Sequence, residues 1–313
     1  MSLDVITFGE AMMLLVADRA GPLEDAENFG KRTAGAETNA AIGLSRLGLK
    51  VGWASRVGAD AMGRYLVRVM QDEGIDCSHV VADPAQRTGI QIKGRVEGGG
   101  DPPTEYYRKG SAASLFQPEQ IDVPWLTSAR HLHTTGVFSA VSDSCLATVQ
   151  RSMALMRGAG RTVSFDTNLR PALWSSPERM REVVNALAGQ ADWVLPGIEE
   201  GRILTGETTA EGIAAFYRTQ GAKLVVVKLG PDGAYFEGEA GSGHVPGFPV
   251  AQVVDTVGAG DGFAAGVISG LLDGLGVADA VKRGAWIGAR AVQVVGDSEG
   301  FPTRAELKAA GLS

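Results

Sequence analysis

The chain has 313 residues, 44% hydrophobic and 21% charged, with a formal net charge of −7 from 29 basic and 36 acidic side chains. That balance is typical of a globular protein able to bury a sizeable core. The absence of any Lys/Arg cluster argues against a nucleic-acid partner, and no run of about 18 apolar residues is present to span a membrane.

Taken in chain order, short apolar runs alternate with helix-length amphipathic stretches. "DVITF" (4–8) reads as a strand, followed by a helix over 39–47, a strand "VGWASRV" (51–57) and a helix over 62–73. The opening shows no basic leader and enters this strand pattern at once, so a cytoplasmic protein is expected. "TGIQIKGRV" (88–96) and "TEYYRKG" (104–110) alternate like two antiparallel strands around the turn "EGGGDPP". A hairpin that interrupts an alternating chain is a candidate lid, to which 15–33 can add. Further strands are expected at "HLHTTGVF" (131–138), "TVSFD" (162–166), "DWVLP" (192–196) and "KLVVVKLG" (223–230), with helices over 144–157, 177–187 and 211–220. Helical patterns rich in Gly and Ala dominate 259–295. The alternation predicts an α/β fold, a mostly parallel sheet with helices on both faces. Cys77 and Cys145 are far apart and outside any CxxC, so both read as free thiols. His131 and His133 share one strand face but have no third ligand in reach, and are expected to be structural.

The stretch "DTVGAGDGFAAG" (255–266) carries the most chemistry. Gly258 and Gly260 tolerate positive φ and leave the backbone open to a ligand. With Ala259 between them and a helix following, their N–H groups form a candidate anion nest at a positive helix end. Asp261 stands just behind it, where the same field favours a carboxylate; a carboxylate beside an anion site suits a base that takes a proton from an attacking hydroxyl. The plainer reading is a tight strand-to-helix turn with an aspartate in its first turn. No GxxxxGK[ST] occurs, and Phe263 stands where a GxGxxG pattern requires glycine, so neither a P-loop nor a dinucleotide fingerprint is present.

The same stretch resembles the D-T-x-G-A-G-D-x-F signature of the PfkB-type, ribokinase-like carbohydrate kinases, from Asp255 to Phe263 without a gap. "AGAETNAAIGLSRLG" (34–48) resembles their N-terminal signature. The resemblance covers essentially the whole chain. It implies one doubly wound α/β domain over 1–313, with a small β-lid contributed by about 12–33 and 88–110. Asp261 would be the general base, and Gly258, Ala259 and Gly260 the anion hole. Gly35 and Ala36 would admit the sugar to the backbone. Asn39 would hydrogen-bond the sugar; on the residues alone the favoured reading is a helix N-cap. Glu200 falls at the glutamate of the family's N-x-x-E motif and would hold Mg2+ through water, although Gly197 replaces the motif's asparagine. Lys228, Gly230 and Gly233 would neighbour the nucleotide. The stretch 294–303, with Asp297, would line the adenine and close a monovalent-cation (K+) loop with Asp255 and Val257.

"SFDTNLRPALW" (164–174) is similar to a segment of the 2-keto-3-deoxygluconate kinases within that family. Asp166, Asn168 and Arg170 would lie at the carboxyl end of a strand, where open α/β sheets bind ligands. "EYYRKG" resembles the same group and adds Tyr107 and Arg108 on opposite sides of a lid strand. Arg108 and Arg170 would clamp the carboxylate of an acid sugar. Gln91 stands where that group usually has a lid tyrosine, and "GEAMMLL" (9–15) lacks the polar residues with which ribose kinases hold a furanose. The expectation is therefore an ATP- and Mg2+-dependent kinase of a small acid sugar, acting on its terminal hydroxyl. Alternatives are a fructokinase or other ketose kinase, or a non-catalytic sugar or nucleotide sensor. A homodimer through the lid, or a higher homo-oligomer, is expected.

Overall fold

The computed structural model describes residues 3–96 and 102–313. The turn expected at 97–103 therefore lies outside the described residues, apart from Pro102 and Pro103. The strands are β1 (Val5–Phe8), β2 (Met12–Ala17), β3 (Phe29–Ala34), β4 (Val51–Gly58), β5 (Asp76–Asp83), β6 (Gly89–Lys93), β7 (Thr104–Tyr107), β8 (His131–Thr135), β9 (Thr162–Asp166), β10 (Trp193–Val194), β11 (Leu224–Lys228), β12 (Ala234–Gly238) and β13 (Gly241–Val245). The helices are α1 (Ala36–Arg46), α2 (Ala61–Asp72), α3 (Val123–Ser128), α4 (Gly136–Val141), α5 (Asp143–Gly158), α6 (Pro177–Ala188), α7 (Ile198–Thr205), α8 (Ala210–Thr219), α9 (Ala259–Leu272), α10 (Val277–Ala291) and α11 (Arg304–Ala309).

Nine strands form one sheet in the order β13-β12-β11-β10-β9-β8-β1-β4-β5. It is parallel from β11 through β5, with β12 and β13 antiparallel at one edge. This is the doubly wound α/β architecture expected. Both faces are covered, so the central strands are buried on both sides. In β11, Val225 and Val227 join a core with α5, α6 and α8, while Leu224 and Val226 join the opposite core with α1, α2, α9 and α10. The chain leaves β1 towards β4 on one side and returns to β8 on the other, which opens a crevice at the carboxyl ends of these strands.

A second sheet has the order β3-β2-β6-β7. β2 pairs antiparallel with β3 and parallel with β6, and β6 pairs antiparallel with β7. Within β6, Gly89, Gln91 and Lys93 are buried while Ile90 and Ile92 are half-buried, so the polar side of this strand faces inward.

Some expected boundaries shift for local reasons. The strand expected over 131–138 stops at Thr135, whose hydroxyl accepts from the Val137 N–H at 3.0 Å and caps α4. The strand expected at 192–196 narrows to Trp193–Val194. The edge strands β5 and β13 carry polar and glycine residues and lack the apolar runs that mark the sheet interior. His131 and His133 are buried and bonded to Thr162 and Ser164, and burial pushes their pKa values down, for His133 to about 3. Among the described residues no helix is long and apolar enough to cross a membrane.

Candidate active site

Between the two sheets lies a cleft of about 1280 Å³. Its centre is the N-terminus of α9. Gly258 caps that helix with φ +80°, and a Cβ there would lie 1.8 Å from the Asp297 carbonyl oxygen, so only glycine fits. Gly258, Ala259 and Gly260 all line the cleft. The first turn of a helix leaves N–H groups without intrahelical acceptors, which makes this end an anion site.

Asp261 occupies the same first turn and is 8% exposed. Two amides orient its carboxylate: Asn39 Nδ2 donates to Oδ2 at 2.8 Å and Asn168 Nδ2 to Oδ1 at 3.1 Å. Burial pushes its pKa up to about 8; the hydrogen bond from Asn39 and the charge of Arg170 oppose the rise, and Asp166 and Asp297 add to it. The helix field was expected to favour the ionised form; desolvation outweighs it. The group is thus poised near neutral pH, where a general base works best.

Asn39 is not a helix cap, because Gly35 holds that position and Asn39 sits one turn inside α1. Its Oδ1 is buried and has no hydrogen-bond partner among the described residues, and the residue lines the cleft. A buried acceptor of this kind fits a ligand hydroxyl. Gly35 has φ +147°, and a Cβ there would lie 2.4 Å from the Glu10 carbonyl oxygen, so the backbone passes close to the cleft without a side chain. Asn168 holds φ +32°, a left-handed conformation that asparagine tolerates and that turns its amide towards Asp261.

Lys228, at the end of β11, bonds both oxygens of Asp166 at 2.8 and 2.7 Å. Burial alone would lower the lysine's pKa, but Asp166 and Glu200 raise it above its ordinary value, so it stays a cation. It lines the cleft together with Gly230 and Gly233, whereas Asp166 lies beneath it as its counter-ion. Glu200 also lines the cleft, with both oxygens engaged by Thr167 Oγ1, the Leu169 N–H and the Gly197 N–H at 2.7–2.8 Å. Burial pushes the Glu200 pKa up, yet Lys228 and these donors hold it below the usual range. A fixed carboxylate of this kind suits outer-sphere Mg2+ binding through water.

The two arginines differ. Arg170 is exposed at the rim, with one donor on the Leu169 carbonyl at 2.7 Å. Arg108 reaches the cleft but is paired with buried Glu10 at 2.5 Å, and Glu10 also accepts from Ser111. Tyr107 does not line the cleft: it is 58% exposed and bonds Glu105. Strand alternation puts Thr104, Tyr106 and Arg108 on the inner side, so Tyr106 takes the place expected for Tyr107. Gln91 and Ala36, expected beside the sugar, line the cleft, and so does Val257 of the expected cation loop.

Of the stretch 294–303, expected to line the adenine, Asp297 alone lines the cleft among the described residues. An apolar part of the lining combines Phe248, Pro249, Val250 and Val253 with Ala285, Gly288, Ala289 and Val292, a helical stripe along α10 that continues just past its end. Its i, i+3, i+4, i+7 spacing was visible in the sequence, and a stripe of such small residues leaves room for a flat ring. Glu37, also missed, is buried in the lining; Thr135 donates to it at 2.5 Å, and burial pushes its pKa up to about 7.

Comparison with known proteins agrees with this geometry. The sequence profile described as pfkB family carbohydrate kinase matches residues 2–304. The chain is 48% identical over 308 residues to the 2-dehydro-3-deoxygluconokinase of Bacillus subtilis (strain 168), covering 98% of this chain and 95% of that protein. Among solved structures, a PfkB protein from Polaromonas sp. JS666 shares 69% identity with a TM-score of 0.92, covering 98% and 100% of the two chains. A protein from E. coli described as ribokinase II, solved in complex with ATP and Mg2+, shares 27% identity with a TM-score of 0.90, covering 98% of each chain.

Proposed function

The chain belongs to the pfkB family of carbohydrate kinases, and from that premise we propose that it transfers the terminal phosphoryl group of ATP to the terminal hydroxyl of 2-keto-3-deoxygluconate. The same compound is called 2-dehydro-3-deoxygluconate, the substrate in the name of the Bacillus relative. The observation that carries the mechanism is the buried Asp261 carboxylate, held by two amides beside the glycine turn.

Asp261 takes the proton of the attacking hydroxyl. The freed oxygen bonds to the terminal phosphorus as the bond from that phosphorus to the bridging oxygen breaks, and ADP leaves. The N–H groups of Gly258–Gly260 meet the charge on the transferring group, and Lys228 adds a fixed cation. Mg2+, which accompanies ATP in the E. coli relative, would be held near Glu200 through water and would neutralise phosphate charge. The apolar wall of 248–253 and α10 would pack the adenine. The four-stranded sheet is read as a lid that excludes water from the reaction.

Arg170 is the cation best placed for the sugar carboxylate, since Arg108 already has Glu10 as its partner. That loss of one arm of the expected clamp favours a second reading, a kinase of a neutral ketose such as fructose. The free thiols Cys77 and Cys145 accord with a cytoplasmic setting. A homodimer paired through the lid remains part of the proposal, since β3 and β7 leave both edges of that sheet open.

Sugar-dependent ADP release, measured for 2-keto-3-deoxygluconate, fructose and ribose, tests the reading. The acid sugar is expected to have a kcat/KM at least about 100-fold above the neutral sugars, as a bidentate charged contact implies. A preference for fructose would favour the second reading, and no release with any sugar would point to a sensor.

A further inference from the structure

We propose that the ammonium group of Lys93 is a built-in replacement for the monovalent cation expected at the Asp255–Val257 turn, so that this protein catalyses phosphoryl transfer without potassium. The inference rests on the kinase reading and concerns the back of the same glycine turn.

Lys93 ends β6 in the lid sheet and is fully buried. Its Nζ lies 2.7 Å from Asp255 Oδ2 and 2.8 Å from Asp297 Oδ1. Both carboxylates are themselves buried. Asp255 Oδ1 also accepts the Val257 N–H at 3.1 Å, and Oδ2 accepts the Gly296 N–H at 3.2 Å. Three of the roughly four lone-pair positions of that carboxylate are thus in use. A second cation at this carboxylate would meet the ammonium fixed 2.7 Å from Asp255 Oδ2, and like charges that close repel. The residues therefore do not fit a bound potassium ion at this carboxylate.

Lys93 does the work such an ion would do. It ties together the two segments that shape the anion turn. Asp255 opens the loop into Gly258, and the Asp297 carbonyl occupies the space that a side chain at Gly258 would need. It also ties both segments to the lid. Lys93 is a positioning residue: it holds the turn in shape from behind. The two carboxylates keep it protonated against the opposing effect of burial.

The test compares the wild-type enzyme and Lys93→Met in potassium, sodium and tetramethylammonium chloride at one ionic strength. Turnover and melting temperature are both read, the latter with ADP present. The wild type is expected to vary less than twofold in kcat among the three salts, and its melting temperature to be unmoved by potassium. Lys93→Met is expected to lose at least tenfold in kcat in tetramethylammonium, to recover severalfold in potassium, and to melt higher in potassium. A wild-type kcat that rises fivefold or more with potassium would overturn the proposal. So would a folded Lys93→Met whose kcat and melting temperature ignore the cation. Should Lys93→Met fail to fold, the wild-type salt series decides alone. Failure of the substrate reading would show as absent turnover in every salt, while the melting series would still report on Lys93.

Discussion

The front and back of the glycine turn hold similar groups in opposite states. At the back, Lys93 has no solvent contact of its own and bridges the buried carboxylates of Asp255 and Asp297. At the front, Asp261 is oriented by two neutral amides, lacks a bonded cation among the described residues, and faces a cleft. The back is built to stay as it is. The front carries a carboxylate whose charge is made costly by burial, which accords with the base proposed for it. Within a few residues of one turn, charge compensation separates scaffold from chemistry.

The sharpest way to break this contrast is Asp261→Asn. Turnover should fall by about 10³-fold or more, while sugar affinity stays within about threefold, because the lost group acts on a proton that moves in the transition state. The fold should tolerate the change: the spare Oδ1 of Asn39 can accept from the new amide. The pKa of Asp261 is raised from its ordinary 3.8 to about 8, so the folded protein binds this proton more tightly than the unfolded chain does. Ionisation then disfavours the folded state progressively as pH climbs from about 4 towards 8. Asp261→Asn should consequently melt higher than wild type, more so at pH 8 than at pH 5. By the same sign, wild-type kcat/KM should rise with pH and level off above about 8, since the base must be deprotonated to act.

A smaller effect is expected at the rim. Arg170→Ala should cut the preference for acid over neutral sugars by about tenfold or more, the worth of a charged hydrogen bond of ~1.5–3 kcal/mol. An unchanged preference would transfer that role away from Arg170. The smallest effect belongs to Tyr107, exposed on the outer side of β7. Tyr107→Ala should leave kcat/KM within about twofold, as expected of a surface side chain, whereas Tyr106→Ala should raise the KM for the sugar.

The two sides of the turn also differ in how far they could be read from sequence. The front was legible because its chemistry is local: "DTVGAGD" places glycines and carboxylate within one helical turn. Asn168 and Arg170 follow β9 closely enough to share its end. The central sheet was legible from apolar runs buried on both faces. The back was not legible, because Lys93 meets Asp255 and Asp297 only through the register of β6 against β2 and the packing of the four-stranded sheet, contacts separated by more than 160 residues. The one local sign was the pattern "GIQIK", with polar residues on the side that proves buried. The pairing of Arg108 with Glu10 and the exposure of Tyr107 were hidden for the same reason, since the face that an edge strand turns inward depends on the sheet it joins. The pKa of Asp261 was misjudged because the helix field is a local quantity, while desolvation depends on everything packed around the carboxylate.

The central claim is that the terminal phosphate is received at the mouth of α9 with Asp261 facing the acceptor hydroxyl. A crystal structure with a non-hydrolysable ATP analogue and sugar measures this directly. A terminal phosphate oxygen within about 3.5 Å of the N–H groups of residues 258–261, with an Asp261 oxygen in hydrogen-bond reach of the sugar's terminal hydroxyl, is the result expected. A phosphate bound elsewhere in the cleft, or an Asp261 carboxylate turned away from the sugar, would contradict it.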